Sequence, residues 1–468
     1  MRLSLVFLAL MTVGTARSEE FKVGAATVDI TPPIGTPMAG YYSERLSQGV
    51  HDPLYAKAIV LERDGKKAAM VSLDLISTPR KLVELTRAAI EAQGKVPGDA
   101  VMISATHAHT GPDLQGWGAY GEAYTGRNEL AVNYSAALPG KIAECVRKAD
   151  AALRPARVAT ARGQETAISF NRRFHMTDGS VGWNPGKLNP RILKPAGTID
   201  PDVAVVYFES ADQDRAPLAT YVNHAVHLDN VGGAEFSGDM PATVADLLGR
   251  FKGPEMVTVY TSGCCGDINH INVNWGDPQK GHENAARMGV ILSAEVLRAW
   301  PRLAPETAGS LRVERVKVKL PSAPITPADV EASKAAIANV VAKGKPQPFL
   351  EVVKAFQVAD VAEQKGEPVE VEVQAITLGD KLAWVSLPGE IFVELGLAIK
   401  QDSPFRDTII AELANGAIGY IPSRRAFGQG NYEVVSSRVA AGSGEMLVDA
   451  AVTLLKKMHR EATAVAAP

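Results

Sequence analysis

The stretch Ala100-Val-Met-Ile-Ser-Ala-Thr-His-Ala-His-Thr-Gly-Pro112 decides how this chain is to be read. Its first half is an apolar run of strand type. Its second half changes abruptly to two histidines separated by one alanine, and Gly111-Pro112 then turns the chain away. Side chains alternate along an extended segment, so His107 and His109 share a face if the strand continues through them. Two imidazoles at the mouth of a buried strand stand where metals and substrates are commonly held, and imidazole is the commonest metal ligand. The same spacing also describes two partly exposed loop histidines, so the rest of the chain has to decide.

Outward from that stretch, strand-like and helix-like segments alternate without internal repeats or a long linker. This pattern predicts an α/β fold of layered mixed β-sheets flanked by helices. Residues 56–61 and 68–73 are apolar runs joined by Arg63-Asp64-Gly65-Lys66, a hairpin signal. A second hairpin is expected over 203–209 and 218–223, and a third over 369–378 and 381–387. Helical periodicity covers 81–92, 130–150, 241–250, 283–300 and 445–458, while 256–261 reads as a buried strand and 311–320 as a half-exposed one. Residues 326–364 read as two charged helices broken near Gly344 to Pro348, either a lid or a solvated structural face.

Polar residues recur immediately after apolar strands, where sites gather in layered α/β proteins. Asn223-His-Ala-Val-His-Leu-Asp-Asn230 holds His224 and His227, and Gly263-Cys-Cys-Gly-Asp-Ile-Asn-His270 follows the next strand. Trp384-Val-Ser-Leu-Pro-Gly-Glu390 ends a strand at Pro-Gly and places Glu390 at the opening of a helix. Asn415-Gly-Ala-Ile-Gly-Tyr420 brings a tyrosine, with Tyr432 downstream in a glycine-rich neighbourhood. Imidazoles with oxygen donors suit zinc.

Composition narrows the setting. Arg2, an apolar run over 3–13 and Gly14-Thr-Ala16 read as a secretory signal over residues 1–18, leaving residues 19–468 as one large domain or two intimate subdomains and pointing to a secreted or periplasmic location. The apolar run is too short for a membrane span. A formal charge of −3, made slightly more acidic by loss of the signal's two arginines, argues against nucleic acid as a partner. Three cysteines do not make a disulfide scaffold, and the adjacent Cys264 and Cys265 are either a strained ring or two buried thiols.

Taken in order, Val23-Gly-Ala-Ala-Thr-Val-Asp-Ile-Thr-Pro32, Met38-Ala-Gly-Tyr41, His51-Asp-Pro-Leu-Tyr-Ala56, Ser72-Leu-Asp-Leu75, Thr106-His-Ala-His-Thr-Gly-Pro112, Asn171-Arg172, Asn223 to His227, Gly266-Asp267-Ile268, Leu387-Pro-Gly-Glu390 and Gly419-Tyr420 resemble the neutral/alkaline non-lysosomal ceramidase family. The resemblance is to the family's zinc-bearing catalytic domain. It implies zinc ligands His107, His227, Glu390 and Tyr420, with His109 as the proton-transfer group and Arg172 and Tyr432 holding the substrate carbonyl. His224 is then a packed histidine beside the site. Two departures stand out: Asn269, followed by His270, occupies the place of a family serine, and the chain ends without the family's C-terminal immunoglobulin-like domain.

The resemblance implies a small-molecule or lipid substrate, ceramide or another N-acyl lipid, with a transient membrane-surface contact. The expected chemistry is amide hydrolysis by metal-activated water. Two alternatives stay open. One keeps the zinc and changes the substrate to a carbohydrate or another polar amide or ester, with the aromatics of Gln115-Gly-Trp-Gly-Ala-Tyr-Gly121 as a sugar platform. The other is an exported non-catalytic metal-binding protein, since structural zinc is usually closed by four protein ligands. The oligomeric state is not legible.

Overall fold

The computed structural model describes residues 20–116, 126–342 and 344–466. The expected signal segment and the aromatic residues Trp117 and Tyr120 lie outside the described residues.

Three β surfaces enclose one apolar core. The first contains Lys22–Asp29, Tyr55–Arg63, Lys66–Leu73 and Val101–Ala105. The second contains Arg154–Gln164, Asp202–Ser210, Pro217–His224 and Val257–Ser262, joined to the first by a short pairing of Lys22 and Val23 with Pro155 and Arg154. The third is a separate sheet of Leu311–Leu320, Val369–Leu378, Leu382–Ser386 and Asp407–Ala411. Ile59 and Met70 from the first surface, Phe208 and Tyr221 from the second, and Ile376 and Trp384 from the third meet in that core. A bond from Ser72 Oγ to the Tyr260 carbonyl at 2.5 Å ties the first surface to the second.

Each surface is backed by helices. Arg80–Glu91 and Glu129–Ala151 cover the first, Met240–Lys252 and His282–Ala299 the second, and Val393–Asp402 and Ser443–Ala466 the third. This is the layered, mixed α/β architecture expected. The strand pairs are mostly antiparallel, but Val101–Ala105, Val257–Ser262 and Asp407–Ala411 each join a neighbour in parallel. Those parallel strands need crossovers, which the helices supply.

The first hairpin turns at Asp64 and Gly65, both with positive φ (52° and 70°), the conformation a two-residue turn between twisted strands requires. One segment draws the strand ends together. Glu412 N bonds to the Ser262 carbonyl, Leu413 N to Gly389, Ala414 N to Leu387 and Asn415 N to Ile103. Strands from all three surfaces therefore end against the same short stretch of chain. Among the described residues no helix is long and apolar enough to cross a membrane.

Candidate metal and active site

The strand before the paired histidines stops at Ala105. His107 has a left-handed backbone (φ 72°), so the two histidines do not share a face by strand alternation as expected. A turn does the work instead: His107 N and Ala108 N both donate to the Leu75 carbonyl. A positive φ on a residue with a Cβ costs roughly 1–2 kcal/mol, and such strain concentrates at functional sites.

The outcome is nonetheless convergence. His107 Nε2 lies 3.2 Å from His227 Nε2, and His109 Nε2 lies 3.4 Å from His107 Nε2 and 3.1 Å from His227 Nε2. His107 Nδ1 is 2.8 Å from the Ile76 carbonyl and His109 Nδ1 is 3.0 Å from the Gly40 carbonyl. A carbonyl only accepts, so both rings hold a proton on Nδ1 and aim Nε2 inward. Gly40 itself has φ 105°, and a Cβ there would lie 2.9 Å from His109 Cβ and Nδ1, so only glycine allows this approach.

Glu390 was expected to open a helix. It lies instead in the two-residue strand Glu390–Ile391, in parallel register with Tyr420–Ile421, and the helix starts at Val393. Glu390 N bonds to the Gly419 carbonyl, and Asp267 Oδ1 accepts from Val393 N, which delays the helix start. The register sets Glu390 beside Tyr420. Gly266 packs so tightly against this ladder that a Cβ would come within 3 Å of the Glu390 backbone.

Charge at the cluster follows from burial. Burial pushes His107 down, but Glu390, whose Oε2 is 3.3 Å from its Nε2, more than compensates and raises it. Burial likewise pushes Glu390 up, and His107, Tyr420 and Arg172 bring it below its usual range. His227 falls well below its ordinary value through burial and the neighbouring His107 and Arg172 charges. Burial also takes His109 down to about 4, against the upward pull of Asp229. This set of groups calls for a positive centre among its nitrogens, supplied by a proton or by a cation.

The donors fit a metal. In a tetrahedral site with metal–nitrogen bonds of about 2.0–2.1 Å, ligand nitrogens stand roughly 3.3–3.4 Å apart, close to the spacings here. Buried Glu390 Oε2 has no well-directed hydrogen-bond partner, so this carboxylate has capacity left for a ligand. His109 does not stand apart from the expected ligands: its Nε2 is part of the same triangle.

Arg172 reaches the site from a strand edge. Its Nε donates to Glu433 Oε1 at 3.0 Å and its Nη2 to the Gly266 carbonyl at 2.7 Å, while its guanidinium lies 5.4 Å from the Tyr420 ring centre and 6.0 Å from that of Tyr432. Burial opposes the Arg172 charge, but Tyr420, Glu433 and Glu390 outweigh it. Tyr420 is pushed well up by burial, with Arg172 pulling the other way. Glu433 also takes Arg173 Nη1 at 2.7 Å, so one fully buried carboxylate serves two buried guanidiniums.

Tyr432 packs 5.3 Å from Tyr420 and 4.4 Å from Trp183, and Phe349 stacks 5.6 Å from Trp183. Phe349 opens the second of the two helices Pro327–Val341 and Phe349–Glu363. The region expected as a lid or a solvated face thus places an aromatic ring, 41% exposed, beside the site. His224 lies outside the cluster, its Nδ1 on the Asp202 carbonyl. Asn269 uses both ends of its amide within the protein, donating to Asn184 and accepting from Ile271 N. The three cysteines are free and buried, and Cys265 Sγ donates to Glu412.

Sequence reasoning missed Glu433, Asp229, Gly40, Glu412, Trp183 and Phe349. Adjacent Arg172 and Arg173 were a usable signal for Glu433, because two buried guanidiniums demand a carboxylate. Phe349 had no such signal, since its role depends on how two distant helices dock.

The chain matches the family model described as "Neutral/alkaline non-lysosomal ceramidase, N-terminal" over residues 21–240. It is 23% identical to the neutral ceramidase of Pseudomonas aeruginosa, covering 99% of this chain and 76% of that protein. The crystal structure of the Pseudomonas aeruginosa neutral ceramidase superposes with a TM-score of 0.71 at 20% identity, covering 94% of this chain and 75% of that one. A structure described as ceramidase complexed with C2 gives a TM-score of 0.71 at 20% identity, over 94% of this chain and 76% of that one. These last two likenesses carry the fold, and the sequence matches carry the kinship. Over residues 21–240 the chain is similar to the neutral/alkaline non-lysosomal ceramidase family, and over nearly its whole length it is similar to a neutral ceramidase in sequence and shares that protein's fold.

Proposed function

We propose that the protein is a zinc-dependent amidohydrolase that cleaves the amide bond of ceramide or a related N-acyl lipid. The observation that carries this reading is the convergence of three imidazole Nε2 atoms beside Glu390, with a buried arginine and two tyrosines adjoining. The names of the relatives, neutral ceramidase and ceramidase complexed with C2, support the substrate class. In this reading His107, His227, Glu390 and Tyr420 hold the ion. Zinc there would supply Lewis-acid polarisation and a water of lowered pKa, near 7.

The remaining work falls to the chain itself. His109 is neutral at ordinary pH and keeps its Nδ1 proton on the Gly40 carbonyl, so Nε2 is the atom that takes a proton and returns it to the leaving nitrogen. An amide requires that return, because an amide anion is a poor leaving group. Arg172 and the Tyr432 hydroxyl hold the carbonyl oxygen as charge develops on it, a role typically worth ~3 kcal/mol per donor. Glu433 keeps Arg172 extended for this purpose. Trp183 and Phe349 receive the apolar part of the substrate.

A second reading has one observation behind it. The three-imidazole triangle also describes a ligand set of His107, His109 and His227, with His109 holding metal rather than moving a proton. Export follows from residues 1–18 and is part of the proposal, as is contact with a membrane surface that presents the lipid.

Substrate class is tested by offering the zinc-loaded protein a short-chain ceramide in mild detergent and an N-acetylated sugar at equal concentration. The proposal expects fatty-acid release from the ceramide to dominate. Hydrolysis of the sugar amide alone would overturn the lipid assignment while leaving the metal chemistry standing.

A further inference from the structure

Away from the site, a second group of metal-ligating side chains comes together from three separate segments. The two-residue strand Gly49–Val50 pairs in parallel with Glu235–Phe236, and His51 follows it directly, its N–H bonded to the Phe236 carbonyl at 2.9 Å. His282 is the first residue of the helix His282–Ala299. The His51 and His282 rings stack with centres 3.6 Å apart and planes 24° from parallel. His282 Nε2 lies 3.7 Å from Glu235 Oε2, and one ligand atom from each of the three residues falls within 4.8 Å of the others.

We infer that His51, Glu235 and His282 form a second metal site, for a divalent transition-metal ion of the zinc type. Two imidazoles and one carboxylate are the donor set such ions take, whereas calcium and magnesium prefer all-oxygen sites. The group is open to solvent on one side: His51 and Glu235 are exposed and His282 is half-buried. The exposed His51 ring would turn out of the stack so that both imidazoles point at one ion, and ligands beyond the three would be water. Buried His282 Nδ1 has no hydrogen-bond partner, so hydrogen bonding within the protein does not account for how that ring is placed.

The positive end of the helix beginning at His282 works against a cation. Glu283 in its first turn, Glu235 and the adjacent Asp52 oppose that effect.

The location gives the site a structural consequence. Gly281 N bonds to the Asn230 carbonyl, and Asn284 Nδ2 donates to Asn230 Oδ1 at 2.6 Å. Asn230 is three residues beyond His227. An ion bridging His51, Glu235 and His282 therefore braces the helix start to the segment that leads away from the catalytic cluster. The inference does not rest on the proposed catalytic reading, since none of its three residues belongs to the triangle.

The test is zinc stoichiometry. Chelator-stripped protein is incubated with Zn2+ alone, freed of unbound ion and analysed for metal content. The expected result is two equivalents for the wild type, one for His282→Ala, one for His51→Ala and one for His107→Ala. In His107→Ala zinc still raises Tm, and in His107→Ala/His282→Ala it does not. Because His51 is exposed, His51→Ala gives the reading should His282→Ala fold poorly. A wild type that takes up no zinc beyond what His107→Ala removes, or one whose zinc content is untouched by both His51→Ala and His282→Ala, overturns the site. Failure of the catalytic reading would look different: zinc bound at both places with no amide hydrolysis.

Discussion

At the residue scale, His109 decides between the two ligand sets. Its Nε2 is 3.1 Å from His227 Nε2, near enough to share an ion or to exchange a proton with whatever lies between. If His109 moves the proton, His109→Ala keeps the catalytic zinc and loses at least ~10²-fold in turnover, the usual worth of a positioned acid–base group. Metal analysis together with turnover checks this, and loss of that zinc would assign His109 to the ligand set. Tyr432→Phe removes one hydroxyl and leaves the ring packed against Trp183. It should lower kcat by roughly 10²–10³-fold with little change in KM, as expected for a donor that acts on developing charge. A pure rise in KM would reduce Tyr432 to a packing residue.

Glu412 carries a pH dependence that the sequence does not announce. Burial raises its carboxyl from the ordinary 4.5 to about 8, although Cys265 Sγ and Ile391 N both bond to it. The folded state therefore holds the proton more tightly than the unfolded chain. This group imposes no cost below pH 4.5, and stability is lost as pH rises from there towards 8. Glu412→Gln should gain stability relative to the wild type over that window and level off above it. Urea denaturation of metal-free protein at pH 5 and pH 8 reads the difference, and an equal effect at both pH values would contradict it.

At the element scale, the segment after His227 is held by a cap. Asp239 accepts from Met240 N at 2.7 Å, from Asn230 N and Val231 N at 3.1 Å each, and from Asn230 Nδ2 at 3.0 Å. One buried carboxylate thus starts the helix Met240–Lys252 and fixes the turn beyond the histidine. Asp239→Ala loses a cap worth ~1 kcal/mol and leaves buried donors without acceptors, for a total near 3 kcal/mol. Denaturant unfolding measures this, with zinc affinity expected to fall alongside; a change below ~1 kcal/mol would mean that the turn is held elsewhere.

Elements of this kind mark where the sequence was legible. The hairpin around Asp64-Gly65, the helix expected over 81–92 and the strand Leu311–Leu320 follow from local pattern, and the structure has them. The short strand at Glu390 and the left-handed His107 were not legible, because register with Tyr420 and bonds to Leu75 set them. Long-range pairing overrode local preference at both places. The residues singled out from sequence do come together, the three histidines from turns that follow strands and Glu390 beside Tyr420 in a short parallel ladder. Their supporting residues, Glu433, Gly40 and Phe349, come from distant segments whose meeting no local spacing reveals.

At the scale of the whole molecule, three β surfaces packed around Trp384, Tyr221 and Phe208 hold five separate chain segments against one another. The helices face outward and the ends of the strands face the cluster. Such a frame fixes the backbone from which the triangle projects, and the Ile76 and Gly40 carbonyls orient two of its rings. The helix pair that presents Phe349 packs on the frame through Trp183 and Tyr432 and is tied to it by the Arg438–Asp360 ion pair, so Phe349 is held beside the cluster. The most direct test of the account measures fatty-acid release from a short-chain ceramide by chelator-stripped protein, before and after zinc is restored, with His107→Ala alongside. The account predicts no release from stripped protein, recovery with zinc, and none from His107→Ala under either condition. Equal release with and without zinc, or full activity in His107→Ala, would contradict it.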